Sequence, residues 1–232
     1  GSVATGGGGG DAPEWRLAGA MTECFLLEKS RLVRVDSGER NYHVFYQNCA
    51  KEFGMNATTA TEYRMLNQGN CIHASDDTDD GEEHGLTMSA LTAIGVTSED
   101  ITAMYAILST MQHLGNLTFT EVEAEGAQAG AGDPPDLVPN FINEVASSTE
   151  EMASALGLID TLFIKAVTSR TITSGRGSMV VRKLNAREAS DNVDGLIKFM
   201  YSRLFNWLVA QINACMALSH DHHQTKSTKS TP

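Results

Sequence analysis

A cluster of basic side chains in the last third of this 232-residue chain has the chemistry needed to bind an acidic surface. No Asp or Glu occurs between Thr161 and Arg187, although the whole chain has a formal net charge of −12. Such a patch attracts a negatively charged partner, whereas the alternative is an exposed hairpin kept soluble by its own charges. The basic residues are Lys165, Arg170, Arg176, Arg182, Lys183 and Arg187, and we take Arg170, Arg176, Arg182 and Lys183 as candidate binding residues.

The glycine run at residues 6–10 invites comparison with a phosphate-binding loop. A P-loop needs a Gly-Lys-Ser/Thr sequence at the start of a helix, and the chain has no Gly-Lys pair. The dinucleotide-binding pattern fails as well, because Pro13 stands where its last glycine is required. We therefore predict a flexible leader over residues 1–16 and no residue that binds a cofactor.

Two clusters have the residue types of metal ligands. In the acidic run at residues 76–83, a calcium loop would place Thr78 at its third position and Thr87 where a bidentate Glu is needed, so we predict a solvated acidic loop. The histidines at residues 220–223 lie in a Ser/Thr/Lys tail without periodicity, and we predict that residues 219–232 are disordered. The sequence thus predicts no metal site.

The composition is that of an ordinary globular protein, with 41% hydrophobic and 20% charged residues. Its negative charge argues against binding to nucleic acid or insertion into a membrane, and no apolar run is long enough to span a bilayer. The cysteines lack disulfide or zinc spacing, which favours a reducing compartment. They are Cys24, Cys49, Cys71 and Cys215.

The first part of the chain combines strand and helix signals. Residues 20–35 have the apolar and β-branched content of one or two strands. A helix with Ser37 as its N-cap and Gly54 as its stop is predicted next, because aromatic and apolar residues recur at helical spacing and would face the core. These residues are Tyr42, Phe45, Tyr46, Cys49 and Phe53.

The middle of the chain gives clearer boundaries. Thr97 or Ser98 can cap a helix that ends at Gly115 and Asn116, and residues 117–120 then alternate like a strand. His113, near the end of this helix, is predicted to be a capping or packed histidine rather than a metal ligand. Residues 121–135 read as an acidic surface loop.

The last third predicts a short helix from Asp160, a β-hairpin and a long helix. Residues 171–173 and 179–182 are the two strands, joined by a glycine-containing tip that includes Arg176. Asn185 and Glu188 have the spacing of a capping box, and the helix that they open keeps its apolar period to about residue 218. The candidate basic residues therefore belong to a hairpin at the start of a long helix.

Five segments, in order, resemble the myosin motor (head) domain, specifically its upper 50 kDa region. They are FLLEKSR at 25–31, ERNYHVFYQ at 39–47, YRMLN at 63–67, HLGN at 113–116 and YSRLFNWLV at 201–209. The resemblance implies a partial motor domain over residues 17–218. The expected fold class is mainly α with a few β-strands, as a fragment of the mixed α/β P-loop motor domain.

The resemblance also implies partners and a site. Residues 121–136 resemble a surface loop that approaches actin, and residues 170–182 resemble the cardiomyopathy loop, another actin contact. The long helix resembles one that leads from the actin face toward the nucleotide side. The implied partners are actin filaments and the remainder of the motor domain, and the implied location is cytoplasmic and cytoskeleton-associated.

The nucleotide-binding parts of the family are not found in the sequence. A P-loop, switch I and switch II, which act on Mg-ATP in such motors, have no counterpart here, so we assign no catalytic residue. We expect the parent protein to couple ATP hydrolysis to movement on actin, while this segment contributes actin contacts and communicating helices. The alternative is a standalone, motor-derived module that binds actin or another partner without ATPase activity, and a non-functional gene fragment is a third possibility.

Overall fold

The computed structural model describes residues 20–50, 60–75, 78–122, 136–141, 160–173 and 177–218, together with residues 154, 157 and 175. The helices are α1 (His43–Ala50), α2 (Arg64–Asn67), α3 (Asp80–Ala93), α4 (Ser98–Gly115), α5 (Asp160–Thr168) and α6 (Ala186–Leu218), and two short 3₁₀ helices cover Lys29–Leu32 and Ala60–Glu62. The strands are β1 (Leu117–Val122), β2 (Asp136–Phe141), β3 (Ser169–Thr173) and β4 (Met179–Lys183). The prediction of a mainly α fold with a few strands is confirmed.

The strands form two separate antiparallel hairpins, β1–β2 and β3–β4. Strand β2 lies in a segment for which the sequence analysis predicts no element, and its central Pro139 cannot donate a ladder hydrogen bond. Pro139 lies opposite Phe119. It is tolerated because both strands of a two-stranded sheet are edge strands, where one N–H can be missing.

The strand prediction for residues 20–35 is wrong over the residues described. The segment contains the 3₁₀ helix Lys29–Leu32 and no strand. A strand forms only where a neighbour completes its hydrogen bonds, and the described part of the chain places no strand beside this segment. Instead, the carboxamide of Asn213 accepts from the N–H of Thr22 at 2.7 Å and donates to its carbonyl at 2.9 Å.

Helix α1 begins at His43 and not after Ser37 as predicted. Residues 36–39 form a turn with Gly38 at φ +83°, and the side chain of Asn41 then fixes the approach to the helix. Its amide donates to the carbonyls of Leu32 at 3.1 Å and Met65 at 2.8 Å, and its oxygen accepts from the N–H of Tyr42. These tertiary contacts set the helix start, while the predicted stop at Gly54 lies outside the described residues.

The described aromatic residues of α1, and Tyr42 just before it, face the core as predicted, while Phe53 lies outside the described residues. Phe45 and Tyr46 are buried, and Tyr42 stacks on Tyr201 of α6 with the ring centroids 5.1 Å apart. The guanidinium of Arg40 lies 3.8 Å from the centroid of the Tyr46 ring. This face therefore joins the start of the chain to its last helix.

The prediction of an acidic loop at residues 76–83 is wrong for the acidic residues from position 79 onward. The carboxylate of Asp79 accepts from the N–H groups of Gly81 at 2.7 Å and Glu82 at 3.2 Å, and so caps α3. Acids in the first turn are favourable because the helix dipole is positive there. The carboxylate of Asp80 also forms a buried ion pair with Arg40 at 2.6 Å, while residues 76 and 77 lie outside the described part.

Helix α4 follows the predicted boundaries. The hydroxyl of Thr97 accepts from the N–H of Asp100 at 3.1 Å, and the helix ends at Gly115. His113 is buried, packs edge-on against Tyr63 with the centroids 5.5 Å apart, and has Nδ1 2.8 Å from the carbonyl oxygen of Ser109. Of the two predicted roles, a capping histidine or a packed one, His113 therefore has the second.

The 33-residue helix α6 carries one buried stripe along the first half of its length. Its members recur every four residues: Ala189, Val193, Ile197 and Tyr201. The predicted capping box is confirmed, because Asn185 Oδ1 accepts from the N–H of Glu188 at 2.8 Å and Glu188 Oε2 accepts from the N–H of Asn185 at 3.1 Å.

An ion pair connects α2 to α6. Arg64 Nη2 lies 2.6 Å from Asp194 Oδ1, and Arg64 Nε donates to the carbonyl of Gly115 at the end of α4. The side-chain oxygen of Asn116 accepts from the N–H of Arg64 at 2.8 Å. Arg64 thus joins three elements.

Across the residues that the structure describes, no helix has an apolar stretch long enough to cross a bilayer.

Replacing Gly69 with Ala is expected to lower the free energy of unfolding by about 2–3 kcal/mol, as overpacking does. A methyl group there would collide with the carbonyl oxygen of Glu39 and lie 2.9 Å from that of Asp36. Gly85→Ala is the matched control, because its Cβ would enter open space within α3 and should stabilise the protein by about 0.5–1 kcal/mol. Urea denaturation of both variants checks this, and equal midpoints would contradict the packing argument.

Candidate functional site

The hairpin β3–β4 brings two of the predicted basic residues together at the start of α6 and places Lys183 on its other face. Its register places Arg170 directly opposite Arg182, and Lys183 opposite Ser169. Directly opposed residues share one face of a sheet, so the two arginines lie side by side. Arg176, the fourth predicted residue, lies outside the described residues.

The same register gives the hairpin a mixed surface. Ile172 and Val180 are the next opposed pair on the face that carries the two arginines. All five residues of β4 are exposed, and Met179 and Val181 on the other face retain 76% and 57% of their accessible surface. A two-stranded hairpin that buries so little is marginal by itself, so its attachment to the rest of the molecule matters.

That attachment comes from both ends of the hairpin. Strand β3 continues directly from α5, whose Phe163 and Val167 are buried in the core. After β4, the N–H of Leu184 donates to the carbonyl of Thr168 at 2.9 Å, and the Leu184 side chain is buried. The base of the hairpin is therefore fixed while its strands project from the core.

Glu188 is a neighbour of the candidate residues that the sequence analysis missed. Arg182 Nη2 lies 2.6 Å from Glu188 Oε1, and Nη1 donates to Oε2 at 3.2 Å, so the pair is bidentate. The basic segment of the sequence stops one residue before this acid, for which the sequence predicts only a role in the helix cap. Arg182 and Glu188 are only six residues apart, and the turn into α6 brings them together. This short spacing between opposite charges is the signal from which the pair could have been predicted.

This ion pair shifts the pKa of both residues. Hydrogen bonding to Arg182 lowers the pKa of the Glu188 carboxyl, and the N–H of Asn185 lowers it further. The pKa of Arg182 is raised for the reciprocal reason, chiefly its hydrogen bond to Glu188. One of the three described candidate residues, Arg182, is thus partly neutralised within the molecule, and Arg170 lies beside this pair.

A shallow cleft of about 520 Å³ opens at the base of the hairpin. Its charged lining is mixed, with Arg170 and Arg182 facing Glu188 and Asp191 of α6. Glu121 of β1 reaches the same helix end, where its carboxylate accepts from the N–H of Ala186 at 3.3 Å. Such an arrangement can dock a charged surface through ion pairs.

Within the described residues the structure contains no group of three or more His, Cys, Asp or Glu side chains that could hold a metal ion. Burial raises the pKa of the Cys49 thiol to about 11, so this cysteine is a protonated core residue at neutral pH. It accepts a hydrogen bond from the amide of Gln112 at 3.2 Å.

Arg182→Gln is expected to raise the pKa of Glu188 toward its ordinary value, because the first cause of its depression is removed. In the native protein, the stabilisation from this pair is present above the ordinary Glu pKa and is lost as the pH falls through the lowered native value. NMR titration of the Glu188 carboxyl in both proteins measures the shift. An unchanged titration in the variant would contradict the role of the ion pair.

Comparison with known proteins gives the family. The sequence profile described as "Myosin head (motor domain)" matches residues 13–228. The chain is 34% identical to "Myosin-1" of Arabidopsis thaliana over 209 residues, which cover 88% of this chain and 17% of that protein. It is 33% identical to "Myosin-7" of Arabidopsis thaliana over 206 residues, 85% of this chain and 11% of that protein.

A similar match is "Protein OPAQUE1" of Zea mays, 33% identical over 204 residues that cover 85% of this chain and 12% of the relative. The chain thus spans less than a fifth of the length of these relatives. The family profile covers most of the sequence, including every element of the hairpin and the helices that hold it. The chain belongs to the myosin head (motor domain) family.

Proposed function

We propose that this chain is part of an actin-based motor and that the hairpin β3–β4 is one of its contacts with the actin filament. The family supports the coarse function, and the observation that carries the contact is the exposure of a basic hairpin in an acidic chain. The candidate contact residues are Arg170, Arg182 and Lys183, with Arg176 at the tip on sequence grounds.

The charges of the hairpin support an acidic partner. Arg170 and Arg182 lie directly opposite each other, and like charges in that position destabilise a hairpin. Glu188 offsets only part of this repulsion, since its bidentate bonds go to Arg182. A carboxylate-bearing surface above Arg170 would relieve the rest, and actin is the acidic partner that the family implies.

The apolar residues of the hairpin support a contact with more than charge. Ile172 and Val180 are 43% and 52% exposed beside the two arginines. Interfaces combine an apolar centre with a polar rim, and exposed apolar residues in such a group mark interaction sites. The proposed contact therefore buries the Ile172–Val180 pair while the arginines meet acidic groups around it.

ATP hydrolysis belongs, in this proposal, to the complete protein. The chain aligns with less than a fifth of the length of these relatives, and we assign none of its residues to catalysis. Mg-ATP and the remainder of the motor domain are the cofactor and the second partner that the family implies. Helix α6 begins at the hairpin and is the element that would connect the contact with the rest of such a motor.

Arg170→Glu is expected to weaken binding to actin filaments about 5-fold to 10-fold, and Lys183→Glu should add to the loss. The expected size is on the order of 1 kcal/mol per charge, typical of exposed pairs. Arg170→Glu replaces a like-charge pair with an opposite-charge pair across from Arg182, so the hairpin itself should stay folded. Co-sedimentation with filaments at low and physiological salt measures the change.

Arg34→Glu is the matched control, because it makes the same charge change at an exposed position outside the hairpin. It should retain binding at both salt concentrations. Equal co-sedimentation of Arg170→Glu and Arg34→Glu, with unchanged thermal stability, would assign the hairpin a structural role only.

A further inference from the structure

Helix α6 contains one glycine, Gly195, that no close contact explains. The residue is exposed, and a Cβ added to it would meet no atom within 4 Å. This contrasts with Gly115 of α4, where a Cβ would lie 2.6 Å from Cγ of Met65. Glycine inside a helix lowers its stability relative to alanine because the backbone is freer. Gly195 therefore lowers the local stability of the helix, and packing does not require a glycine at this position.

The residues before Gly195 are bound to the hairpin side of the molecule. Glu188 pairs with Arg182 of β4, and the amide of Asn192 donates to the carbonyls of Ala166 at 3.1 Å and Val167 at 3.2 Å. Both carbonyls belong to α5, which leads directly into β3. The first part of α6, α5 and the hairpin thus form one connected group.

The residues after Gly195 are bound to other elements. Tyr201 packs on Tyr42 and Phe45 with ring centroids 5.1 Å and 5.8 Å away, and Asn213 holds the backbone of Thr22. Helix α4 also lies against this part, where its Met104 and Ile107 line a groove with Met200, Leu204 and Trp207. Gly195 therefore lies at the boundary between two sets of packing partners.

A hydrogen bond and an ion pair cross this boundary. Glu121 of β1, the strand that follows α4, accepts from the N–H of Ala186 at 3.3 Å, and the ion pair lies next to the glycine. Asp194 belongs to α6, and its carboxylate lies 2.6 Å from the guanidinium of Arg64, which also donates to the end of α4 at Gly115. Both side chains are only partly exposed, at 22% and 32%. The pair therefore connects the hairpin side of α6 to α2 and α4.

From these contacts we propose that Gly195 is a bending point in α6, which lets the group of α5, β3–β4 and the start of α6 move relative to α4, and that the Arg64–Asp194 ion pair holds the observed position. Bends in long helices occur where the backbone is least restrained, and glycine is one such place. Rigid groups joined at a few freer residues are the usual construction of a hinge. This proposal does not depend on the identity of the hairpin's partner.

The test measures the distance between the hairpin and α4 in the full chain by electron spin resonance. Spin labels are attached at Thr173→Cys in β3 and Thr102→Cys in α4, both exposed positions, with Cys24, Cys71 and Cys215 replaced by Ser. Gly195→Ala should narrow the distance distribution by about half, since alanine restricts the helix backbone. Asp194→Asn, which removes the charge that pairs with Arg64, should broaden or shift the distance distribution.

Two controls separate a hinge from general stabilisation. Gly85→Ala makes the same change in α3, and Asp36→Asn removes a carboxylate from an exposed position outside α6 and the hairpin. Neither should change the distribution. Equal widths for the parent and Gly195→Ala would overturn the bending point, and an unaltered distribution in Asp194→Asn would overturn the role of the ion pair.

Hydrogen exchange provides a second readout. In Gly195→Ala, the amides of residues 196–199 should exchange several-fold more slowly than in the parent, while those of residues 205–212 should be unchanged. Slowing that is uniform along α6 would show a global gain in stability instead of a local hinge and would contradict the proposal.

Discussion

The structure depends on covering one face of a single long helix. Helix α6 extends about 50 Å at 1.5 Å per residue, yet its buried stripe of Ala189, Val193, Ile197 and Tyr201 occupies only one side. A helix of this length is stable in water chiefly through packing of its apolar face. The elements of the fold are arranged around this requirement, with α5 over the beginning of the stripe and α1 with its aromatic residues at the end.

The sequence predicts best where the signal is local. Helix α4, the hairpin β3–β4 and the capping box of α6 were found from caps, periodicity and turn residues, and the structure confirms each. The failures come from contacts between distant residues. Residues 20–35 have strand composition but no strand beside them in the described part, and α1 starts where Asn41 bonds to Leu32 and Met65 instead of at the capping residue Ser37. The cap of α3 at Asp79 was hidden in a run of acids that resembled a loop.

The candidate site shows the same division. The excess of positive charge and the hairpin that carries it were readable from residue types, because charge is a property of composition and a hairpin is a local structure. The bidentate pair between Arg182 and Glu188 and the exposure of the whole of β4 required the turn into α6 to be known. The family resemblance gave a partner for this surface, whereas the charge pattern alone left docking and solubility as equal explanations.

The contacts that complete α6 join parts of the chain made far apart in time during synthesis. Asn213 is hydrogen-bonded to the backbone of Thr22, 191 residues away in sequence, and Arg64 forms an ion pair with Asp194, 130 residues away. Translation adds roughly 5–20 residues per second, so the early segments wait many seconds for the helix that covers them. Until then, the aromatic face of α1 has no partner in α6, and Phe25 and Leu26 remain exposed even afterwards. A nascent chain of this design therefore has a long interval in which chaperones that bind apolar segments can act on its early half.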